Sequence, residues 1–255
     1  MRLCGPGIVG WPADRENALA VLRRAVELGV ELIDTSDAYG PEVNELQIAE
    51  ALHPYPAHVV IATKAGLVRD RRGGWNRDGR PEHIRQACEA SLRRLRSERI
   101  DLYQLHAPDP SVPLEESVGE LARLRGEGKV RHVGLSNVDL GELERARTVT
   151  AIASVQNRYN VAERGSEDVV RACERAGIAF LPWSPLAVGS LACESGLLDR
   201  LAEARRATRG QIALAWLLHG SPASCPIPGT ASVAHLEENV AAARIELSAE
   251  EVAAL

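Results

Sequence analysis

Aromatic side chains are scarce in this sequence: four Trp, four Tyr and one Phe make up 4% of it. Against so few aromatics the four Trp stand out, while hydrophobic residues at 45% still allow a large buried core. Paired cysteines are absent too. Cys4, Cys88, Cys173, Cys193 and Cys225 are odd in number and widely spaced, and no CxxC or Cys/His pairing points to zinc. They read as free thiols, those of Cys88 and Cys173 buried in helical stretches, in a reducing, cytoplasmic compartment. An excess of positive charge is also missing. Lys and Arg number 30 against 35 Asp and Glu, a net charge of −5, which gives no basic face for nucleic acid. No apolar run is long enough to span a membrane, and no signal peptide is legible at the start. Arg and Glu interleave along Arg80–Arg99, the pattern of a solvated helix face.

What the sequence does contain is alternation. β-rich runs at Glu31–Asp34, Val59–Thr63, Ile100–Leu105, Arg131–Leu135, Ala153–Gln156, Ile178–Pro182 and Cys225–Pro228 read as strands. Between and before them, Asp14–Leu28, Asn44–Leu52, Pro81–Leu95, Leu114–Arg125, Asp139–Arg147, Glu167–Ala176 and Gln211–His219 carry apolar residues at helical spacing. Asp14 and Pro81 are start signals. Arg69–Arg80, rich in Gly and Arg, reads as an exposed loop, and Arg209–Gly210 as punctuation between two helical stretches. Strands alternating with helices imply parallel pairing and right-handed crossovers. Seven strands in 255 residues suit a single-domain eight-stranded (β/α) barrel over residues 1–255. The competitor is a doubly wound sheet with a glycine-rich nucleotide turn. Its only support is Gly5, Gly7 and Gly10, which precede any strand–helix unit and are interrupted by Pro6.

Barrel function sits on the loops after the strand ends. Reading those ends gives Asp34 and then Tyr39, Thr63-Lys64, His106, Ser136-Asn137, Gln156-Asn157 and Trp183-Ser184. Asp34, Tyr39, Lys64 and His106 form a chemically coherent set. A phenol titrates near 10, too high for an efficient acid at neutral pH. A nearby ammonium lowers that value, a carboxylate holds the ammonium in place, and a histidine can orient a substrate oxygen. The set can protonate a carbonyl oxygen but contains no hydride source, so it requires a nicotinamide cofactor. Taken singly, Asp34 could be a helix cap, Lys64 a Schiff-base lysine, His106 a structural hydrogen-bonder and Tyr39 packing. Their placement on three consecutive strands favours the catalytic set.

These segments resemble the aldo-keto reductase family. Gly29-Val30-Glu31-Leu32-Ile33-Asp34-Thr35-Ser36 with Tyr39-Gly40 is similar to its first signature. Ile61–Lys64 resembles its lysine strand, Asp101–His106 its histidine strand and Gly128–Asn137 its fifth-strand motif. Pro226–Thr230 and Glu237-Glu238-Asn239 resemble its C-terminal cofactor motif. The matches are collinear over nearly the whole chain. The resemblance implies Tyr39 as general acid, Lys64 and Asp34 as its tuning pair and His106 as the substrate orienter. It implies Ser136, Asn137 and Gln156 on the nicotinamide carboxamide, and Trp183 stacked under the ring. Ser184, Leu186, Gly189 and Ser190 fall where the family wraps the pyrophosphate, and Gly229, Thr230, His235, Glu238 and Asn239 where it holds the adenosine phosphate. An Arg that often pairs with that phosphate is replaced by His235, so the resemblance implies NADP(H) with a weakened preference over NAD(H). It also implies an initial β-hairpin and first strand, of which Met1-Arg2-Leu3 reads as only the tail. The expectation is a barrel lacking the hairpin and most of that strand. The partner expected is a small carbonyl compound. Trp75 stands either to line its pocket or to be an exposed loop aromatic. A non-catalytic cofactor-binding subunit and a Schiff-base aldolase are the alternatives.

Overall fold

The computed structural model describes residues 3–70, 73–187 and 196–255. The chain divides into two compact units, residues 1–153 with 229–233, and residues 154–228 with 234–255.

The first unit opens with a 3₁₀ turn over Pro6–Ile8, followed by helix α1 (Arg15–Glu27), whose N-cap Asp14 accepts a hydrogen bond from the Asn17 amide. Strand β1 (Leu32–Asp34), helix α2 (Val43–Leu52) and strand β2 (Val60–Ala65) follow. Next come a short antiparallel hairpin of β3 (Leu67–Arg69) and β4 (Trp75–Arg77) and helix α3 (Pro81–Leu95). Strand β5 (Ile100–Leu105), helix α4 (Leu114–Gly126), strand β6 (Val130–Ser136) and helix α5 (Leu140–Val149) complete the unit's regular elements. Strands β1, β2, β5 and β6 lie side by side and parallel in that order. The helices between them supply the crossovers that parallel pairing demands.

Register decides which side chains share a face. Asp34 pairs with Ala62 and Lys64 with Gln104. Side chains alternate across a strand, so Lys64 lies on the same face as Ala62. Asp34, Lys64 and Gln104 are thereby brought together. The intervening residues Thr63 and Tyr103, themselves paired, reach helices instead. The Thr63 hydroxyl donates to Glu45 of α2 at 2.6 Å, and the Tyr103 hydroxyl to the Ile84 carbonyl of α3 at 3.3 Å. Glu45 also takes the Arg94 guanidinium of α3 at 2.6 Å, so the buried carboxylate is satisfied on both oxygens.

In the second unit, β7 (Ile152–Gln156) pairs in parallel with β8 (Ala179–Phe180) through Ser154 and Val155. Around them lie α6 (Glu167–Ala176), α7 (Gly196–Arg205), α8 (Arg209–Gly220), α9 (Val233–Ala241) and α10 (Ala249–Ala254). Leu198, Leu201, Ala202 and Ile212 pack into one cluster between α7 and α8.

Three expectations need correcting. Cys225–Pro228 forms no strand. Phe180 makes one isolated bridge to Ser224, and the Cys225 amide bonds the Phe180 carbonyl at 2.8 Å. Pro226 and Pro228 have no N–H to continue a ladder. The Arg69–Arg80 segment is not a plain loop, because β3 and β4 take up its flanks. Arg209–Gly210 does not separate two helices. It forms the first turn of α8, capped by Thr208 in a reciprocal capping box with Gln211, and the break falls at Arg206, in the left-handed region at φ 51°. Cys88 and Cys173 are buried free thiols, as expected.

The loop after β1 is held by a close approach at Gly40. Its φ is +105°, and a Cβ there would lie 2.3 Å from the Val43 Cβ. Its amide bonds the Ile8 carbonyl at 3.2 Å, and its carbonyl accepts from the Gly10 amide at 2.6 Å. Gly40→Ala should therefore lower stability by at least the roughly 1–3 kcal/mol of a strained residue, measured by urea denaturation. A loss below about 0.5 kcal/mol, the range of an ordinary surface change, would contradict this reading of the loop.

Candidate active site

Lys64 lies at the centre of the first unit's polar cluster, fully buried. Its ammonium donates to Asp34 Oδ1 at 2.8 Å, Asp34 Oδ2 at 2.7 Å and the Thr35 carbonyl at 2.8 Å. An ammonium has three hydrogens, so these contacts saturate it. Gln104 Nε2 donates to Asp34 Oδ1 at 3.2 Å. Burial pulls the Lys64 ammonium down, but the charge of Asp34, the Tyr39 phenol and the Asp34 hydrogen bonds outweigh it, and its pKa stands above the ordinary lysine value. A saturated, charged ammonium has no lone pair for Schiff-base chemistry.

Tyr39 sits above this pair, with the Lys64 ammonium 5.4 Å from its ring centroid. Its titration corrects the expectation drawn from charge alone. Burial raises the phenol above its ordinary value, and the opposing pull of Lys64 does not cancel the rise. The phenol therefore holds its proton at neutral pH, while the neighbouring positive charge remains available to a phenolate formed after proton transfer.

His106 follows β5, its amide bonding the Ala65 carbonyl at 2.8 Å. Its ring meets Tyr39 edge-on, centroids 5.7 Å apart. Trp75 of β4 completes a three-ring wall, 6.3 Å from Tyr39 and 6.1 Å from His106. Trp75 is 44% exposed and carries the Arg69 guanidinium 4.0 Å from its ring centroid, an exposed aromatic as one expectation had it, though on a strand and not in a loop. Burial and then the Lys64 charge hold the His106 imidazole well below its usual value, and it is neutral. Nδ1 lies 3.1 Å from the Ser36 hydroxyl. Sequence reading passed over Ser36 as a partner of His106, because 70 positions separate them and only the fold brings them together.

The remaining predicted residues divide between the units. In the first, the Asn137 side-chain amide donates to the His106 carbonyl at 2.9 Å and to Ser136 Oγ at 3.1 Å. Asn137 sits in the left-handed region at φ 58°, where asparagine is tolerated. Gly229 and Thr230 precede α9, and Thr230 Oγ1 accepts the Ser232 amide at 3.1 Å. In the second, Gln156 ends β7, buried. The Trp183 amide bonds the Asn157 carbonyl at 3.0 Å, and the Trp183 ring carries Arg158 5.3 Å from its centroid. Ser184, at φ 54°, has a buried hydroxyl with no hydrogen-bond partner among the described residues. Leu186 is half-buried, and His235 is exposed on α9. Glu238 accepts the Thr208 hydroxyl at 2.5 Å, and Asn239 lies one residue further along α9. Gly189 and Ser190 lie outside the described residues. Orphaned buried hydroxyls are uncommon, and among the described residues Ser184 shares this state with Thr35 and Ser224; at Ser184 an uncommitted donor is compatible with the phosphate oxygen expected there.

A sequence model of the Aldo/keto reductase family matches residues 3–255. An uncharacterized oxidoreductase of Schizosaccharomyces pombe is 47% identical over 255 residues, covering 100% of this chain and 83% of that protein. The pyridoxine 4-dehydrogenase of Escherichia coli is 41% identical, covering 100% of this chain and 91% of that protein. Among solved structures, an aldo/keto reductase from Klebsiella pneumoniae in complex with NADP and acetate superposes with a TM-score of 0.83 at 30% identity, covering 99% of this chain and 87% of that one. This likeness gives the fold as the expected (β/α)8 barrel.

The buried pair supplies a stability test. Lys64→Met should cost roughly 3–5 kcal/mol by stranding the Asp34 carboxylate. Asp34→Asn combined with Lys64→Met should recover most of that loss, because no buried charge remains. Chemical denaturation of the two variants checks this, and equal losses in both would show that the ion pair is not the source of the cost.

Proposed function

Since the chain belongs to the aldo/keto reductase family, oxidoreductases acting on carbonyl compounds, we propose that it reduces small aldehydes or ketones to alcohols, reversibly, with NADP(H) and with Tyr39 as the acid. The observation that carries this reading is the placement of the Tyr39 phenol beside the buried Lys64–Asp34 pair, the ammonium 5.4 Å from its ring centroid. Tyr39 Oη gives its proton to the carbonyl oxygen. The phenolate left behind faces the Lys64 charge, which is locked by Asp34 and cannot drift away. His106, neutral and edge-on, orients the carbonyl oxygen, and Trp75 shields one side of the substrate from water. Bound reduced nicotinamide supplies the hydride.

Ser136, Asn137 and Gln156 are read as holding the carboxamide, Trp183 the ring face and Ser184 with Leu186 the pyrophosphate. Gly229, Thr230, His235, Glu238 and Asn239 are read as the adenosine-phosphate end. The Klebsiella relative's complex with NADP supports NADP(H), and the orphaned Ser184 hydroxyl supports a dinucleotide pyrophosphate of either cofactor. Among the described residues no helix is long and apolar enough to cross a membrane, and we place the enzyme in the cytoplasm.

Following NADPH absorbance across a panel of aldehydes tests the activity. Tyr39→Phe should lower turnover by about 10²–10⁴, the usual worth of general acid catalysis, while leaving cofactor binding intact. Near-normal turnover would remove Tyr39 from the role.

A second test concerns the cofactor. His235 stands at the adenosine-phosphate end, so His235→Ala should lower the preference for NADPH over NADH. The ratio of kcat/KM for the two cofactors measures this. A ratio unmoved by His235→Ala would count against His235.

A further inference from the structure

We propose that Asp37 is a positioning residue that sets which ring nitrogen of His106 carries the proton, acting through the single hydroxyl hydrogen of Ser36. Its consequence for turnover rests on the reading of His106 as the group that orients the carbonyl oxygen.

The argument is one of hydrogen-bond counting. Ser36 Oγ has three neighbours: the Ala38 amide at 3.1 Å, Asp37 Oδ1 at 3.1 Å and His106 Nδ1 at 3.1 Å. A hydroxyl donates once and accepts twice. The Ala38 N–H can only donate, so it occupies one lone pair. One hydrogen and one lone pair remain for Asp37 and His106. When Asp37 is a carboxylate it can only accept, and it takes the Ser36 hydrogen. His106 Nδ1 must then carry a proton and donate to Ser36 Oγ. The imidazole is neutral, so Nε2 is left with a bare lone pair, which repels a carbonyl oxygen. When Asp37 is protonated its O–H donates to Ser36 Oγ, and the Ser36 hydrogen turns to Nδ1. The proton of the imidazole then resides on Nε2, which becomes a donor. One proton is taken up in all, on Asp37. The ring releases Nδ1–H to water and gains Nε2–H from it, remaining neutral.

The surroundings of Asp37 make this switch accessible near neutrality. Burial first, and then Glu45 of α2, push its carboxyl up to about 7, against the Ser36 hydrogen bond, Arg94 of α3 and the Ala38 amide. Lys64 of β2 and the Tyr103 phenol of β5 also sense its charge. Lys64 is locked on Asp34 and stays charged throughout. His106 remains neutral over the same range, so its own ionisation does not mimic the effect.

The test is ¹⁵N NMR of His106 from about pH 5.5 to about pH 8.5, bracketing the Asp37 transition. It needs neither cofactor nor substrate. The ring should pass from the Nε2–H to the Nδ1–H tautomer as pH rises, without passing through imidazolium. Asp37→Asn and Ser36→Ala should each abolish the pH dependence. In the wild type, kcat/KM for reduction should fall about tenfold per pH unit above the transition, and in either variant that limb should be absent. A wild-type tautomer that does not change with pH would overturn the proposal, as would a transition that persists in Asp37→Asn. If the tautomer switches but the rate limb is missing, the relay stands and it is the role given to His106 that fails.

Discussion

Everything at the active site hangs on the salt bridge between Lys64 and Asp34. A lone ammonium at zero exposure would shed its proton, and a lone carboxylate would take one up. Held at 2.7 Å and 2.8 Å, the Asp34 carboxylate keeps the Lys64 ammonium charged. The third ammonium hydrogen goes to the Thr35 carbonyl, which ties the pair to the backbone just before the loop that carries Ser36, Asp37 and Tyr39. One buried contact thus fixes the charge beneath the phenol, the course of the loop and the field felt by His106.

That field acts differently on the two neighbouring rings. For Tyr39, burial outweighs the Lys64 charge and the phenol stays protonated. For His106, burial and the same Lys64 charge act together and the imidazole stays neutral. A protonated phenol and a neutral imidazole therefore stand side by side at the same pH. Neither state follows from residue type alone, since both depend on how much water the surrounding side chains exclude.

This explains what was legible in the sequence and what was not. Strand alternation and parallel register have period two, so Asp34, Lys64 and His106 could be read as strand-end residues, and their meeting follows from a ladder that pairs Lys64 with Gln104. Charge could be read as well, but burial could not, so the direction of the Tyr39 shift was missed. Cys225–Pro228 has the composition of a strand, yet its two prolines deny it a ladder. The β3–β4 hairpin was marked by Gly73-Gly74 ahead of Trp75 and was hidden by the charged residues around it. Ser36 and Asp37 stood in plain view inside the Tyr39 motif. What could not be seen was that Ser36 reaches a histidine seventy positions away.

The two groups of residues read as the site are therefore encoded differently. Those read as the proton machinery stand on sheet ends and a short loop clamped by Gly40, where register and close packing leave few alternatives. The residues read as cofactor ligands are spread over strand ends, connecting segments and α9, and two of them, Asn137 and Ser184, have positive φ. Such conformations cost about 1–3 kcal/mol each in non-glycine residues and persist only when the surroundings impose them. At Asn137 the imposing contacts are visible, since its amide bridges the His106 carbonyl and Ser136. At Ser184 the backbone carbonyl accepts the Asn160 side-chain amide at 3.0 Å, while the buried hydroxyl has no partner among the described residues. The left-handed backbone there is held by a main-chain contact, and the side chain is left out of it.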